Sequence, residues 1–269
     1  MRVKRTMKHT LQVTLLLVLL FVLAQLIGLG ITARYLEEGT LPYGIERPDV
    51  EENTAYIPIL IAIAIATGLA LLIIKFNALS LWKAWFFIGL LFTLLIAINA
   101  FLPQYIALVL ALGLTIWKLF FPNVYIHNST EVLVYGGLAG LFVPILSVFS
   151  ITILLIVISI YDMFAVWKSK HMVSLAKFQT KARVFAGLMV PYHRGKKVAI
   201  LGGGDIGFPL LFAGVILKTS GWLDATLVVL FSALALFGLF LYSKKNTFYP
   251  AMPFISAGVF IGYGLGLLV

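Results

Sequence analysis

The sequence predicts an all-α polytopic membrane protein with nine transmembrane helices, and three observations support this prediction. The 269 residues are 62% hydrophobic and only 11% charged, whereas a soluble domain of this size needs far more charge at its surface. The apolar residues fall into runs long enough to cross a bilayer, which takes about 17–25 residues. Most charged residues lie between these runs. We therefore expect one membrane domain over residues 1–269.

Nine apolar runs approach the required length, and each is interpreted as one transmembrane helix. The first follows the basic segment 1–8, but its apolar part is about 20 residues long, which is too long for a secretory signal. The fifth and sixth are nearly continuous, with a hinge predicted near Ser147–Ser150. The approximate bounds are 9–32, 55–74, 84–102, 104–121, 131–149, 150–167, 198–217, 223–242 and 249–268.

The basic residues predict the orientation of these helices. If the N-terminus is cytoplasmic, 17 of the 20 Lys and Arg residues lie on the cytoplasmic side, and only Arg34, Arg47 and Lys218 lie outside. This bias agrees with the positive-inside rule and places the C-terminus outside. A net charge of +10 would suggest nucleic acid as a partner of a soluble protein. Here topology accounts for the charge, so no nucleic-acid partner is predicted.

A basic connection over residues 169–197 divides the domain into a six-helix part (1–168) and a three-helix part (198–269). Its Lys and Arg residues either bind anionic lipid headgroups or only set the topology, and the sequence leaves both interpretations open.

Only two acidic residues, Asp162 and Asp205, fall well inside predicted helices. Glu131 lies at the end of a predicted helix, where we expect it to be solvated. A carboxylate in the hydrocarbon region is costly, and its default interpretation is functional. Asp162 lies six residues before Lys168 and Asp205 eight residues after Lys197, which corresponds to about 9 Å and about 12 Å of helix. Two antiparallel neighbours are thus predicted to carry carboxylates at nearly the same depth.

Two carboxylates that lie close together in a low dielectric share one proton. The ionised partner can take a proton from water as the water attacks a carbonyl carbon, while the protonated partner polarises the carbonyl oxygen. Such a pair hydrolyses peptides without a metal or a cofactor. A transporter that couples protons or cations to the same two acids is the alternative.

The surroundings of Asp205 favour hydrolysis. Gly202, Gly203 and Gly204 carry no side chains, which permits an unwound turn or the close approach of another chain. Pro209 cannot donate a hydrogen bond to the carbonyl of Asp205. A helix weakened in this way is tolerated where protein or a water-filled cavity satisfies the freed groups, and a cavity would supply the water for hydrolysis.

Other hydrolytic chemistries lack their residues. The sequence contains no cysteine, and none of its four histidines begins a His-Glu-x-x-His motif, which a zinc protease of this type requires. All four histidines lie near helix ends or in connections, so we expect them to be solvated. No metal site is predicted.

The ninth run opens with Tyr249-Pro250-Ala251-Met252-Pro253. One proline in a first helical turn is ordinary, but the second, three residues later, is expected to make this end a poor helix. The segment begins on the cytoplasmic side, near the depth of both aspartates.

At these residues the chain resembles the GxGD intramembrane aspartyl proteases, the presenilin and signal peptide peptidase family. Tyr161-Asp162 resembles the family's YD motif, Gly202-Gly203-Gly204-Asp205 matches GxGD, and Pro250-Ala251-Met252 resembles PAL. The order of the motifs, in the sixth, seventh and ninth helices, agrees with the family over nearly the whole chain. A prepilin-peptidase-like GxGD protease would lack the YD and PAL elements.

The resemblance implies that Asp162 and Asp205 are the catalytic pair and that Gly202, Gly204 and Pro250–Met252 shape the site. It also implies that the substrates are transmembrane helices, which must unwind because a helix hides its carbonyls. An extended substrate is then expected to pair as a strand with backbone near residues 198–204. Tyr161 either hydrogen-bonds near the pair or packs there.

The chain departs from the family pattern at two positions. Gly203 stands where eukaryotic members usually have leucine, which is expected to alter substrate fit. Met252 replaces the leucine of PAL, a volume-conserving change that should be mild. Pro253 and a cytoplasmic N-terminus resemble presenilin, while short loops and the absence of cysteine favour a prokaryotic, and in particular an archaeal, origin. The short 169–197 connection predicts that neither self-cleavage nor partner subunits are obligatory.

Small residues four apart predict close helix packing. These pairs serve either one bundle or the interface of a homo-oligomer, and they are Gly136 with Gly140, Gly258 with Gly262, and Gly262 with Gly266.

Overall fold

The computed structural model of the chain describes residues 10–168, 178–179, 184–192, 197–243 and 249–268. Within these ranges the chain forms nine α-helices and one two-stranded sheet. The helices are α1 (Leu11–Glu38), α2 (Tyr56–Lys75), α3 (Leu79–Asn99), α4 (Gln104–Phe120), α5 (Val124–Phe142), α6 (Val148–Met163), α7 (Gly203–Ser220), α8 (Trp222–Tyr242) and α9 (Met252–Gly266). The strands are β1 (Gly187–Tyr192) and β2 (Lys197–Gly202).

The helical membrane fold is confirmed. Among the described helices, α1, α2, α3, α8 and α6 with its π-helical extension Phe164–Lys168 are long and apolar enough to cross a bilayer. Helices α4 and α9 are apolar but shorter. The core lies where α1 packs against α5, α7 and α8, and α9 packs along α8. Helix α2 lies at the edge of the bundle against α3 and α6, and most of its surface is exposed.

The predicted small-residue faces pack within this chain. A Cβ at Gly136 would lie 3.1 Å from the Cα of Gly28 in α1, and one at Gly137 would lie 2.0 Å from the carbonyl oxygen of Thr93 in α3. In α9, a Cβ at Gly258 would lie 2.4 Å from the carbonyl oxygen of Phe231 in α8. The absence of side chains therefore lets α5 and α9 approach their neighbours at backbone distance.

The predicted hinge near Ser147–Ser150 is confirmed as the break between α5 and α6. A short 3₁₀ turn, Val143–Ile145, follows α5, and the Ser147 side chain accepts a hydrogen bond from the backbone of Ser150 at the start of α6. Lys218, near the end of α7, donates to the carbonyls of Pro144 (3.0 Å) and Leu146 (3.3 Å). It also donates to Glu52 at 2.8 Å, so one ammonium group joins α7, the break and the segment that precedes α2.

The prediction of a helix over 198–217 is wrong at its start. Residues 197–202 form β2, which pairs antiparallel with β1 so that Gly187 lies opposite Gly202 and Val190 opposite Ala199. The run Val198–Leu201 is apolar at every position, so it lacks the alternation that distinguishes a strand from a helix in sequence. The fifth helix, predicted over 131–149, begins earlier than predicted, because α5 starts at Val124 and is capped by the Asn123 side chain. Most of the predicted connection 169–197 lies outside the described residues.

Substitution of Gly137 by alanine should destabilise the bundle, because its methyl group would overlap the Thr93 carbonyl. Overpacking of this kind costs about 1–3 kcal/mol and should lower the Tm measured in detergent. Gly113→Ala in α4 is the matched control, since a Cβ there meets nothing within 4 Å. A Tm of Gly137→Ala equal to that of Gly113→Ala would contradict the packing described here.

Candidate active site

Asp162 binds the beginning of α9. It is the penultimate residue of α6, and its Oδ2 accepts a hydrogen bond from the backbone N–H of Met252 at 3.2 Å. The backbone N–H of Ala251 also donates to this carboxyl group. The first N–H groups of a helix have no partner within it and carry a partial positive charge. The PAL-like segment therefore contributes backbone donors that hold an acidic side chain of α6.

The prolines that flank these donors do not disrupt α9, contrary to prediction. Pro250 is buried just before the helix, and Pro253 is the second residue of α9. At that position a backbone N–H would have no partner in the helix, so proline removes nothing that the helix needs. The N–H groups of Phe254 and Ile255 both bond to the carbonyl of Ala251, which closes the first turn.

Asp205 lies in the first turn of α7, as its third residue. The N–H of Gly202, the residue that precedes the helix, interacts favourably with its carboxyl group. This corresponds to one half of a capping box, in which an acidic side chain reaches back to the N-cap N–H; Gly202 has no side chain to form the other half. The predicted depth of eight helical residues is wrong, because the chain from Lys197 to Gly202 is a strand.

The structure nevertheless brings Asp162 and Asp205 together. The two carboxyl groups interact electrostatically across the α6–α7 contact, and both side chains are half-buried. Asp162 is held by the start of α9, and Asp205 lies beside the N–H that precedes its own helix, α7. Tyr161 is half-buried beside Asp162, and its contribution stays a prediction.

The three glycines before Asp205 meet different neighbours. A Cβ at Gly202 would lie 3.3 Å from Oδ2 of Asp205, and one at Gly203 would lie 2.8 Å from the hydroxyl oxygen of Tyr135 in α5. Gly204 is exposed. Gly202 thus leaves room for the carboxylate, while Gly203 leaves room for a tyrosine of the bundle.

Helix α5 covers the outer edge of β1. Asn128 exchanges two hydrogen bonds with the backbone of Met189 (2.8 and 3.0 Å), His127 contacts the Gly187 carbonyl at 2.8 Å, and Glu131 accepts the Gly187 N–H at 2.8 Å. Residues of an antiparallel strand direct their backbone groups alternately to the two sides. Leu188 and Val190 therefore bond to β2, and Val198 and Ile200 direct their N–H and C=O groups away from β1.

Sequence reasoning missed this set of α5 residues. Glu131 and His127 lie at the end of a predicted helix and were expected to be solvated, but both are buried. Glu131 forms an ion pair with Lys118 of α4, which is buried as well. Lys118 and Glu131 carry opposite charges, are thirteen positions apart and lie on either side of the turn between two antiparallel helices. This spacing is the sequence signal that could have indicated the pair.

No group of three or more His, Cys, Asp or Glu side chains suited to a metal occurs in the part of the chain that the structure describes. A cavity of about 140 Å³ lies beside Lys118, His127 and Met189, and neither aspartate lines it. Hydrolysis without a metal, and a water-filled cavity at the aspartates, remain predictions.

The fold is that of a helical membrane protein in which two half-buried carboxyl groups lie on helices that pack together. The family model described as "Signal-peptide peptidase, presenilin aspartyl protease" matches residues 16–269. The chain therefore belongs to this family of intramembrane aspartic endopeptidases. No significant match was found among curated proteins.

Two solved structures share the fold. Both are described as a presenilin family intramembrane aspartate protease, one in space group C222 and one in P2. The first has a TM-score of 0.67 at 18% identity and covers 95% of this chain and 98% of its own. The second has a TM-score of 0.66 at 18% identity, with 94% and 97% covered.

Replacement of Met252 by proline should impair the protease. Proline is accommodated at the first position of a helix, but it removes the N–H that binds Asp162. A hydrogen bond to a charged group contributes about 1.5–3 kcal/mol, so activity should fall by about 10-fold to 100-fold in a peptide-cleavage assay. Met252→Leu, which keeps the N–H, should retain activity. Equal activities of the two variants would show that this bond is dispensable.

Proposed function

We propose that Asp162 and Asp205 form the catalytic dyad of an intramembrane endopeptidase that cleaves transmembrane helices. The observation that supports this most directly is that the two carboxyl groups lie near enough across the α6–α7 contact to interact electrostatically. The same pair could serve a transporter, but no observation on the fold or the site favours transport.

The hydrogen bonding suggests which of the two carboxyl groups is ionised and which carries the shared proton. Asp162 accepts a hydrogen bond from the backbone N–H of Met252 at 3.2 Å, which stabilises the negative charge of the pair on Asp162. Asp162 then takes a proton from water while the water oxygen bonds to the substrate carbonyl carbon. Asp205 carries the shared proton and donates it toward the carbonyl oxygen. When the tetrahedral intermediate collapses, the C–N bond breaks, Asp162 gives its proton to the leaving amine, and Asp205 takes back a proton from a hydroxyl group of the intermediate, which restores the singly protonated dyad.

In the part of the chain that the structure describes, no strand pairs with the outer edge of β2, and this edge supports a binding mode for the unwound substrate. Val198 and Ile200 present backbone N–H and C=O groups on the side away from β1, and their side chains are exposed (44% and 42%). An extended peptide could add to this edge as a third strand. Gly202 ends the strand and Asp205 follows three residues later. A substrate strand on this edge would lead directly to the dyad.

The orientation in the membrane completes the proposal. The dyad and the hairpin lie at the start of α7, while Lys218 and Glu52 meet near its other end. The strong basic bias of the sequence places the dyad end toward the cytoplasm, with the N-terminus cytoplasmic and the C-terminus outside. Nine membrane crossings are part of this proposal, supported by the number of described helices and by the odd number that this orientation requires. An archaeal source and the absence of obligatory partner subunits belong to the same proposal.

Asp162→Asn and Asp205→Asn should each abolish cleavage of a transmembrane reporter peptide in detergent micelles, because an amide can neither accept the proton of water nor hold the shared proton. Asp224→Asn is the control, since this carboxylate lies in the first turn of α8, beside Gly266. Wild-type cleavage by either dyad variant would rule out the assignment.

Ile200→Pro tests the strand-addition proposal. Proline is tolerated at a strand edge where the N–H faces away from the partner strand, so β2 should still pair with β1. One hydrogen bond to the substrate is lost, which should raise the KM by about 2-fold to 10-fold. Ile200→Val keeps the N–H and should leave the KM unchanged. If both variants have the wild-type KM, substrate does not pair at this position.

A further inference from the structure

The described residues contain a second acidic centre that the dyad does not use. Glu131 of α5 is only 1% exposed, and both of its carboxylate oxygens have partners. One oxygen accepts from Lys118 of α4, and the other accepts from the Tyr135 hydroxyl and from the Gly187 N–H. Glu131 therefore joins α4, α5 and the first residue of β1.

Two of these contacts lead to Asp205. Gly187 lies opposite Gly202 in the hairpin, and the carbonyl of Ala186 accepts the Gly203 N–H at 3.2 Å. The position of Gly187 thus determines where β2 ends and α7 begins. Asp205 is the third residue of that helix.

Tyr135 forms the second connection. Its hydroxyl oxygen lies 2.8 Å from where a Cβ at Gly203 would stand, and its ring lies 3.6 Å from the corresponding point at Gly207. Residues four apart share a helix face, so the ring packs on one face of the first turn of α7. The Glu131 carboxylate fixes the hydroxyl of this ring.

We propose that Glu131 is a positioning residue for Asp205, acting through the Gly187 N–H and the Tyr135 hydroxyl. The inference rests on the proposed dyad. It also gives Gly203 a specific role: the glycine in the variable position of the GxGD motif accommodates Tyr135, so the side chain at 203 and the residue at 135 must be complementary in size.

Stability alone does not require this arrangement. Replacement of a buried ion pair by apolar residues of similar volume is often neutral or stabilising, whereas the Tyr135 hydroxyl and the Gly187 N–H need an acceptor. Substitutions can therefore separate the charge of the Lys118–Glu131 pair from the role of Glu131 as a hydrogen-bond acceptor.

The double variants Lys118→Met/Glu131→Leu and Lys118→Met/Glu131→Gln provide this separation. Both remove the charges, but only glutamine keeps an oxygen that accepts from Tyr135 and Gly187. We expect the leucine variant to have a lower Tm, because the Tyr135 hydroxyl and the Gly187 N–H lose their acceptor, and its kcat, measured well below that Tm, to fall by about 10-fold to 100-fold at nearly constant KM. The glutamine variant should recover most of the kcat. Equal kcat values for the two variants, or a wild-type kcat in the leucine variant, would overturn the proposal.

A second pair of variants decides the question even if the leucine variant does not fold. Gly203→Ala should lower kcat because its methyl group meets the Tyr135 hydroxyl. Tyr135→Phe removes that oxygen and keeps the Lys118–Glu131 pair. It should lower kcat by a smaller factor than Gly203→Ala does. The double variant Tyr135→Phe/Gly203→Ala should have the same kcat as Tyr135→Phe alone. Additive losses would overturn the proposed complementarity.

The dyad variants, measured in the same assay, distinguish the catalytic role of Asp162 and Asp205 from the positioning role of Glu131. Activity in Asp162→Asn or Asp205→Asn would refute the proposed function itself. Inactive dyad variants together with a wild-type kcat in Lys118→Met/Glu131→Leu would refute only the positioning role of Glu131.

Discussion

Interactions between backbone N–H groups and acidic side chains hold together the end of this bundle that carries Asp162 and Asp205. Asp162 accepts from the start of α9, Asp205 from Gly202 before α7, and Glu131 from Gly187 at the start of β1. Each N–H lies at the end of a regular element, where it has no partner within that element. In a bilayer such a group is costly if it stays unsatisfied. One kind of bond therefore satisfies the backbone and fixes the acids.

This constraint explains why the glycines and prolines of the motifs do not weaken the helices in the predicted way. Gly202 precedes α7, and Pro253 lies in the first turn of α9, where a missing N–H has no cost. Pro209 is the exception, because it lies inside α7. There the buried Gln25 of α1 donates to the carbonyl of Ile206 at 2.8 Å, so a side chain of the bundle satisfies a backbone group near the proline.

The sequence predicted the helical bundle, the pairing of Asp162 with Asp205, and the nearness of Pro250–Met252, because carboxylates and prolines are conspicuous within apolar runs. The hairpin was not predictable in the same way. Val198 to Leu201 are apolar on both faces, and the strand partner lies in a connection that composition alone describes as basic. Glu131 was misinterpreted because a charge at a helix end usually faces water, and only the packing of α4 and β1 against α5 removes that water. The local sequence pattern thus identified Asp162 and Asp205, whereas the hairpin and the buried Glu131 depend on tertiary contacts.

The contacts of Lys218 also determine how α7 can move. They fix the far end of the helix to the α5–α6 break and to Glu52, whereas Asp205 lies thirteen residues away, or about 20 Å along the axis. A tilt of α7 about Lys218 by about 3° would displace the Asp205 carboxyl group by about 1 Å, a distance that affects catalysis strongly. A substitution of Lys218 would therefore act on the position of Asp205 from the opposite end of the helix.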